Sequence, residues 1–483
     1  MAKTFYITTP IYYPNDVPHL GHAYTTIAAD IIARWHKLLG EEVFFLTGTD
    51  EHGKKLAETA AKANQDPKEF IDKLIPEFKK DWKLLNIEYN RFIRTTDKDH
   101  EETVKEVLQK VYDNGDIYLD KYEGLYCTAC EAYYTEKDSP NLHCPIHEKP
   151  LETIKESSYF FKLSKYQKFL IDYYEKNPDF ILPKKRAQEV INRVSEGLKD
   201  LSISRTSFDW GIPLPFDKKH ITYVWFDALL NYYSATQSEA KLKKFWPANT
   251  HLIGKDILWF HAVYWPAMLK SAGIDLPRTI FAHGWWTVEG KKIGKSAGNA
   301  INITKLINIA GLDGARYFLI RETSFGEDGD FSEKQLIERN NNELANKLGN
   351  LVSRVSTLVE KYGIEKIAKP ELQAKELLKK VDHNFNNYQL NIVLDNIFAH
   401  IDKANEYIQS KKPWKTQDKT VLYELVFTIR NIAILLSPFM PNTAEKIAKT
   451  FNFLIDIKEL DKPLKSAKPG DIKKSEILFK KIQ

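Results

Sequence analysis

Three groups of residues in this chain have the types and spacings that chemistry needs. Cys127-Thr-Ala-Cys130, thirteen residues, then Cys144-Pro-Ile-His147 make a C-x2-C-x13-C-x2-H pattern. Two-residue gaps let paired ligands grip one ion from a tight knuckle, and three thiolates with one imidazole suit tetrahedral Zn2+. Four protein ligands close the coordination shell, so the expected metal is structural, one per chain, with no activated water. The second group is His19-Leu20-Gly21-His22, where two imidazoles three residues apart can project together as hydrogen-bond donors towards a phosphate. Such a pair near a turn can also simply cap or pack. The third is Gly290-Lys-Lys-Ile-Gly-Lys-Ser-Ala-Gly-Asn299, a glycine-punctuated basic loop suited to closing over a triphosphate. It is not a Walker A loop, because Gly290-x3-Gly294-Lys295-Ser296 is one residue short of G-x4-G-K-[ST].

These groups need elements to hold them. Lys3–Ile11 is rich in β-branched and aromatic residues and reads as a strand, followed by a turn with Pro14, Asn15, Asp16 and Pro18. Ile27, Ile31, Trp35, Leu38 and Leu39 recur at helical spacing up to Gly40, and Val43–Leu46 reads as a buried strand. That strand-helix-strand opening implies a parallel α/β sheet with ligands at the carboxyl ends of its strands. From Asp116 to His220 the rhythm breaks, and Ile221–Phe226 and His251–Ile253 resume it as short strands. After Glu333 the texture is helical, and no internal repeat occurs.

The whole chain has 483 residues, which suggests about three folding units. Three cysteines cannot build a disulfide framework and point to a reducing compartment, hence a cytoplasmic protein. No apolar run approaches the ~18 to 20 residues that span a bilayer, and the N-terminus lacks a secretory apolar region. The net charge of +5 hides an asymmetry. Asn341–Gln483 holds 24 Lys+Arg against 17 Asp+Glu, whereas the first 340 residues hold 46 against 48. The helical third is therefore the candidate for contact with a polyanion.

With its two phosphate motifs in this order and a zinc knuckle between them, the sequence resembles the class I aminoacyl-tRNA synthetases. Within them it is similar to the methionyl-tRNA synthetase family in its single Cys3His knuckle form. The likeness extends over Thr9-Pro-Ile-Tyr-Tyr13, Gly48-Thr-Asp-Glu-His-Gly53, Tyr223-Val-Trp-Phe-Asp-Ala228, Gly254-Lys-Asp256 and Phe281-Ala-His-Gly-Trp-Trp286. It continues through Asn346–Arg354, Lys412-Pro-Trp414 and Leu436–Pro441. The resemblance implies a Rossmann-type parallel-sheet catalytic domain in two halves, 1–115 and 221–297, interrupted by an insertion, 116–220, with the zinc knuckle near 122–150. A connecting segment, 298–340, and an α-helical anticodon-binding bundle, 341–483, would follow.

The implied activity is ligation of methionine to tRNA(Met), initiator and elongator alike, through methionyl-adenylate, with ATP as substrate and Mg2+ assisting. The carboxylate attacks the α-phosphate in line, so catalysis needs positioning and charge stabilisation. By resemblance His19 and His22 meet the phosphates, Gly21 the adenine, and Gly254 and Asp256 the ribose. Lys292 and Lys295 would neutralise the departing pyrophosphate, with Gly294 replacing the serine or small polar residue usual between them. The methionine pocket would comprise Ile11, Tyr13, Asp50, Trp225, Tyr232 and His283, with Asp50 on the ammonium and Tyr232 and His283 reaching the sulfur.

Leu344, Leu348, Leu351, Val355 and Leu358 form one apolar helical stripe, while Asn346, Asn350 and Arg354 lie on another face. In the family, positions matching Asn350, Arg354 and Trp414 read the anticodon. A monomer is expected, since the appended domain that dimerises some family members does not follow. The alternatives are another class I synthetase or a non-catalytic tRNA-binding relative. A four-ligand zinc shell speaks against the cysteine enzyme, and the short Asp116–His220 stretch against the large editing enzymes. Both histidines, both lysines and Asp50 speak for catalysis.

Overall fold

Alternation along the first strand sets the layering. In the computed structural model, which describes residues 3–128, 132–134, 139–146, 148–292 and 301–483, the strand Thr4–Tyr12 is buried over most of its length. Phe5 and Ile7 face one hydrophobic core and Tyr6 the other. In the neighbouring strand Glu42–Thr49, Val43 and Phe45 join the first core while Phe44 and Leu46 join the second. Successive side chains of a strand point to opposite faces, so both faces of this sheet are covered, as a parallel sheet requires.

The sheet has six strands, all parallel, in the order Arg91–Arg94, Glu42–Thr49, Thr4–Tyr12, Thr250–Gly254, Thr279–His283, Ile181–Leu182. Thr4–Tyr12 lies between strands that come before and after the insertion, so the order reverses there. The two strands at this switch point open a crevice beyond their carboxyl ends. Helix Leu20–Leu38 packs its long buried face on one side, and Gly40, at φ +84°, lets the chain turn away from it.

The segment 116–220 builds a separate antiparallel layer in which Ile117–Cys127 pairs with Glu152–Phe161 along its length. It also returns Ile181–Leu182 to the edge of the main sheet. Ile221–Phe226 differs from the sequence expectation. Only Ile221–Thr222 is strand, paired with Ser204–Arg205, and Val224–Ala228 is helical. A short apolar run carries no periodicity long enough to separate the two states, and tertiary packing decided.

Beyond Glu333 the helices Asn350–Tyr362, Lys375–Asn386, Leu390–Lys411, Lys419–Leu436 and Pro441–Phe451 form a bundle. Leu344, Leu348, Leu351 and Val355 are buried as the stripe requires, with Leu358 half-buried. Arg316 bolts the bundle to the sheet domain. Its fully buried guanidinium donates to Asp30 Oδ2 at 2.7 Å, to the carbonyls of Pro438 and Phe439 at 3.0 Å, and to that of Leu85 at 3.0 Å. A charge removed from water survives only when paired and hydrogen-bonded in this way. Among the described residues no helix is long and apolar enough to cross a membrane.

Candidate functional site

Helix Leu20–Leu38 starts just past the first strand, and its two histidines form its cap. His19 is the N-cap in extended conformation, φ −128° and ψ 178°. Its Nδ1 accepts from the Gly21 amide at 3.1 Å, while His22 Nδ1 accepts from the His19 amide at 3.3 Å. This is the reciprocal geometry of a capping box. With both Nδ1 atoms accepting, each neutral ring must carry its proton on Nε2. Burial pushes the pKa of His19 down, and burial plus the neighbouring His19 pushes His22 well down. The rings stack at 3.9 Å. Capping is thus not an alternative to phosphate binding. It fixes two neutral Nε2–H donors at a helix N-terminus. A side chain at position 21 would press on His19 Cε1 at 3.0 Å, so Gly21 gives the folded-back imidazole its room.

The chain on either side of the basic loop is described. Lys291–Lys292 pairs antiparallel with Trp286–Val288, which pairs in parallel with Gly329–Phe331. Lys295 and Gly294 lie outside the described residues, as does the Lys292 side chain. Where the described chain resumes, the Ile301 carbonyl accepts from the Leu20 amide at 3.1 Å, the first residue of the histidine-capped helix. One backbone hydrogen bond thus ties the histidine-capped helix to the chain just past the basic loop.

Gly254 and Asp256 stand at the carboxyl end of the other switch-point strand. A Cβ at 254 would meet Asp256 Oδ1 at 2.5 Å, so glycine lets that carboxylate fold over the strand end. Trp285 Nε1 donates to the same oxygen at 3.0 Å. His283 closes the neighbouring strand. Its Nδ1 donates to the Gly284 carbonyl at 2.8 Å, leaving Nε2 to accept from the Thr25 hydroxyl at 2.7 Å. Burial keeps it neutral.

An aromatic pocket forms from Trp225, Tyr232 and two residues the sequence reading missed, Phe260 and His261. Trp225 lies flat on Phe260 with centroids 3.8 Å apart and planes 2° apart. The Tyr232 hydroxyl is 2.8 Å from His261 Nε2, and His261 Nδ1 donates to the Ile257 carbonyl at 2.9 Å. That bond fixes Nε2 as the acceptor from Tyr232. Burial takes the His261 pKa down to about 4. The Tyr232 hydroxyl is therefore bonded to His261, whereas His283 sits with Thr25 and Tyr24. A π-helical widening over Phe260–Tyr264 carries His261. The available signal was a lone histidine in the apolar run Leu258–Trp265. Ile11, Tyr13 and Asp50 are half-buried at the ends of the first two strands. The Asp50 amide donates to the Tyr12 carbonyl at 2.9 Å, and the Tyr13 hydroxyl to the His52 carbonyl at 3.0 Å. Burial raises the Tyr232 pKa, and the Asp50 carboxylate adds to that rise.

In the cysteine cluster, Cys127 ends the strand Ile117–Cys127 and is buried, as is Cys144. The Cys144 amide and carbonyl close a tight turn with Lys149 and Glu148 at 2.8 Å each, and its Sγ lies 3.6 Å from the Tyr134 hydroxyl. Cys130 and His147 lie outside the described residues. Among the described residues no group of three metal-ligating side chains converges.

In the bundle, Asn346 and Asn350 are exposed, and Arg354 from helix Asn350–Tyr362 meets Trp414 from the short helix Pro413–Thr416. The Arg354 guanidinium carbon is 5.1 Å from the Trp414 ring centroid. Lys411, Lys412 and Lys415, neighbours of Trp414 in sequence, are exposed.

Residues 5–150 and 137–356 match the family model described as tRNA synthetases class I (M), and residues 372–479 match the anticodon-binding domain of tRNA ligases. The chain is 46% identical to a methionine–tRNA ligase of Caldanaerobacter subterraneus subsp. tengcongensis, covering 100% of this chain and 79% of that protein. It is 48% identical to that of Clostridium tetani, covering 93% and 74%. Mycobacterium tuberculosis methionyl-tRNA synthetase in complex with methionyl-adenylate superposes with a TM-score of 0.95 at 39% identity, covering 99% of each chain. The free-state structure of that enzyme gives 0.86 at 37% identity, covering 100% of this chain and 99% of the other.

Proposed function

The chain belongs to the methionyl-tRNA synthetases of class I, and from that premise we propose how its residues divide the work. It is a methionine–tRNA ligase. A carboxylate oxygen of methionine attacks the α-phosphorus of ATP, the bond to the bridging oxygen breaks, and pyrophosphate leaves. A hydroxyl of the terminal tRNA ribose then attacks the adenylate carbonyl and AMP departs.

The observation that carries the assignment of roles is the Leu20–Ile301 hydrogen bond at the switch-point crevice. It brings the chain just past the basic loop to the histidine-capped helix, which supports a reading in which both serve one substrate. His19 and His22 donate from Nε2 to the phosphates, which needs no general base. Lys292 and Lys295 stabilise the charge on the departing pyrophosphate with Mg2+, Gly21 faces the adenine, and Gly254 with Asp256 takes the ribose. Methionine places its ammonium on Asp50 and its side chain among Ile11, Tyr13, Trp225 and Tyr232. His261 supports the Tyr232 hydroxyl near the sulfur, and His283 lines the crevice at Thr25. Asn350, Arg354 and Trp414 read the anticodon of both initiator and elongator tRNA(Met).

The donor set fits a structural zinc. Cys127, at the end of its strand, and Cys144, on a tight turn, are both buried, with Cys130 and His147 in sequence beside them. Cys127, Cys130, Cys144 and His147 would hold such an ion, which would cross-link the knuckle and stabilise the fold of the 116–220 insertion. Thiols reserved for a metal fit a reducing cytoplasm. Metal analysis should find one zinc per chain, and well under one rejects the site. Methionine-dependent ATP–pyrophosphate exchange, run beside the other amino acids, tests the activity. Exchange with a different amino acid at higher kcat/KM overturns it.

A further inference from the structure

Two residues assigned above to methionine, Asp50 and Trp225, come from distant parts of the chain. Asp50 follows the strand Glu42–Thr49, and Trp225 belongs to the helix Val224–Ala228. A pocket that grips an ammonium at one end and a thioether at the other works only if their separation is set to within a fraction of an ångström. His52 and Asp227 lie two residues beyond Asp50 and Trp225 respectively. His52 Nδ1 and Asp227 Oδ2 are 2.7 Å apart, and the other oxygen of Asp227 is 2.7 Å from His100 Nε2. His100 Nδ1 is in turn 2.8 Å from the Ser234 hydroxyl. All four members are buried, with Asp227 at 1%, His52 at 4%, His100 at 0% and Ser234 at 0% exposure.

We infer that Asp227 is a positioning residue for methionine, fixing the Asp50 turn against the Trp225 wall through its bond to His52. The turn is pinned on its other side to the sheet. Glu51 takes hydrogen bonds from Arg94 Nε at 2.7 Å, Thr49 at 2.7 Å and Thr96 at 2.6 Å, and the Asp50 amide bonds Tyr12. His52 is the member that reaches across to the helix of Trp225. A carboxylate this deep would be costly alone. Burial works to raise its pKa, but His52 and His100 outweigh that and hold it below the ordinary value. Burial likewise works to lower the His52 pKa, and Asp227 outweighs it, so the imidazole titrates above its ordinary value. Both shifts favour a charged, short and directional bond over a slack one.

The inference rests on the reading of Asp50 and Trp225 as methionine contacts. ATP–pyrophosphate exchange should therefore be measured on Asp227→Asn, His52→Leu, His52→Asn and Asp50→Ala. Asparagine at 52 can place an amide donor close to where Nδ1 stood. Asp227→Asn and His52→Leu should raise the KM for methionine about tenfold and leave the KM for ATP within about twofold. His52→Asn should recover most of the methionine affinity. An unchanged methionine KM, or an equal rise for both substrates, overturns the inference. If Asp227→Asn does not fold, the two His52 variants decide from the other end of the bond. Loss of folded protein in all three marks a purely structural bond and also overturns it. Asp50→Ala separates the two ideas. If it leaves methionine KM unchanged, the ammonium assignment itself has failed. If it raises that KM while Asp227→Asn does not, only the positioning role has.

Discussion

The guanidinium of Arg354 lies over the indole of Trp414, 5.1 Å from its centroid, although the two residues belong to different helices. An exposed cation–π contact contributes only ~0.5 to 1 kcal/mol, too little to explain itself as a fold stabiliser. Its consequence is geometric. It holds a flat aromatic face and a fork of N–H donors together at an exposed, lysine-rich corner of the bundle, where a splayed base can stack and pair.

Trp414→Ala should leave methionyl-adenylate formation unchanged while lowering kcat/KM for tRNA charging. Base stacking on an aromatic ring is worth ~1 to 3 kcal/mol, or roughly 5- to 150-fold. Parallel assays of pyrophosphate exchange and aminoacylation check this. An equal fall in both would place the damage in folding instead.

Tyr232→Phe removes the hydroxyl that satisfies His261 Nε2 and leaves a buried acceptor without its donor. Such a loss costs about 1 to 3 kcal/mol, so methionine KM should rise about tenfold or more with ATP KM steady. The unmodified pocket should admit homocysteine imperfectly, since one methyl is worth only ~1 to 3 kcal/mol in a hydrophobic pocket. Relative kcat/KM for the two amino acids measures it.

Lys295→Ala should nearly abolish pyrophosphate exchange, because the positive charge proposed to meet the departing pyrophosphate is lost. Gly294→Ser should change the rate only modestly, since it restores a hydroxyl and reduces backbone freedom without altering charge. Small, equal effects from both would count against a loop that closes on the phosphates.

Acid should destabilise the fold through its buried imidazoles. Burial lowers the pKa of His22, His251, His261 and His283, His261 to about 4. Below about 6.5 the unfolded chain protonates these rings and the folded one does not. Stability is then complete above that pH and falls as pH drops, by up to ~1.4 kcal/mol per pH unit for each histidine. His52, raised by Asp227, works the other way. Its contribution is full below about 6.5 and is lost as pH rises through its folded value. Tm should fall steadily between pH 6.5 and 5, above the range where most carboxylates titrate. A flat Tm over that interval would refute the claim.

Much of the architecture was legible because its signals are local. The β-branched first strand, the helix ending at Gly40 and the apolar stripe from Leu344 to Val355 all follow from periodicity over a few residues. Ile221–Phe226 differs from the expected strand because a run of six residues, five of them apolar, is too short to show a period. The motifs were legible for the same reason, since His19 and His22, or Cys127 and Cys130, are close enough in the chain for spacing to imply proximity.

What the sequence by itself determined, then, was which residue types stand where: two imidazoles at a helix start, two lysines in a glycine loop, three cysteines and a histidine at knuckle spacing, and a basic helical third. Tertiary structure decided which of them meet. It turned the histidine pair into a mutual cap with its protons on Nε2, tied Leu20 to Ile301, gave Tyr232 to His261, and bonded His52 to Asp227. Each of these pairings, apart from the cap, spans a long stretch of chain. Long-range pairing depends on the packing of whole layers, and residue spacing along one strand or helix holds no record of it.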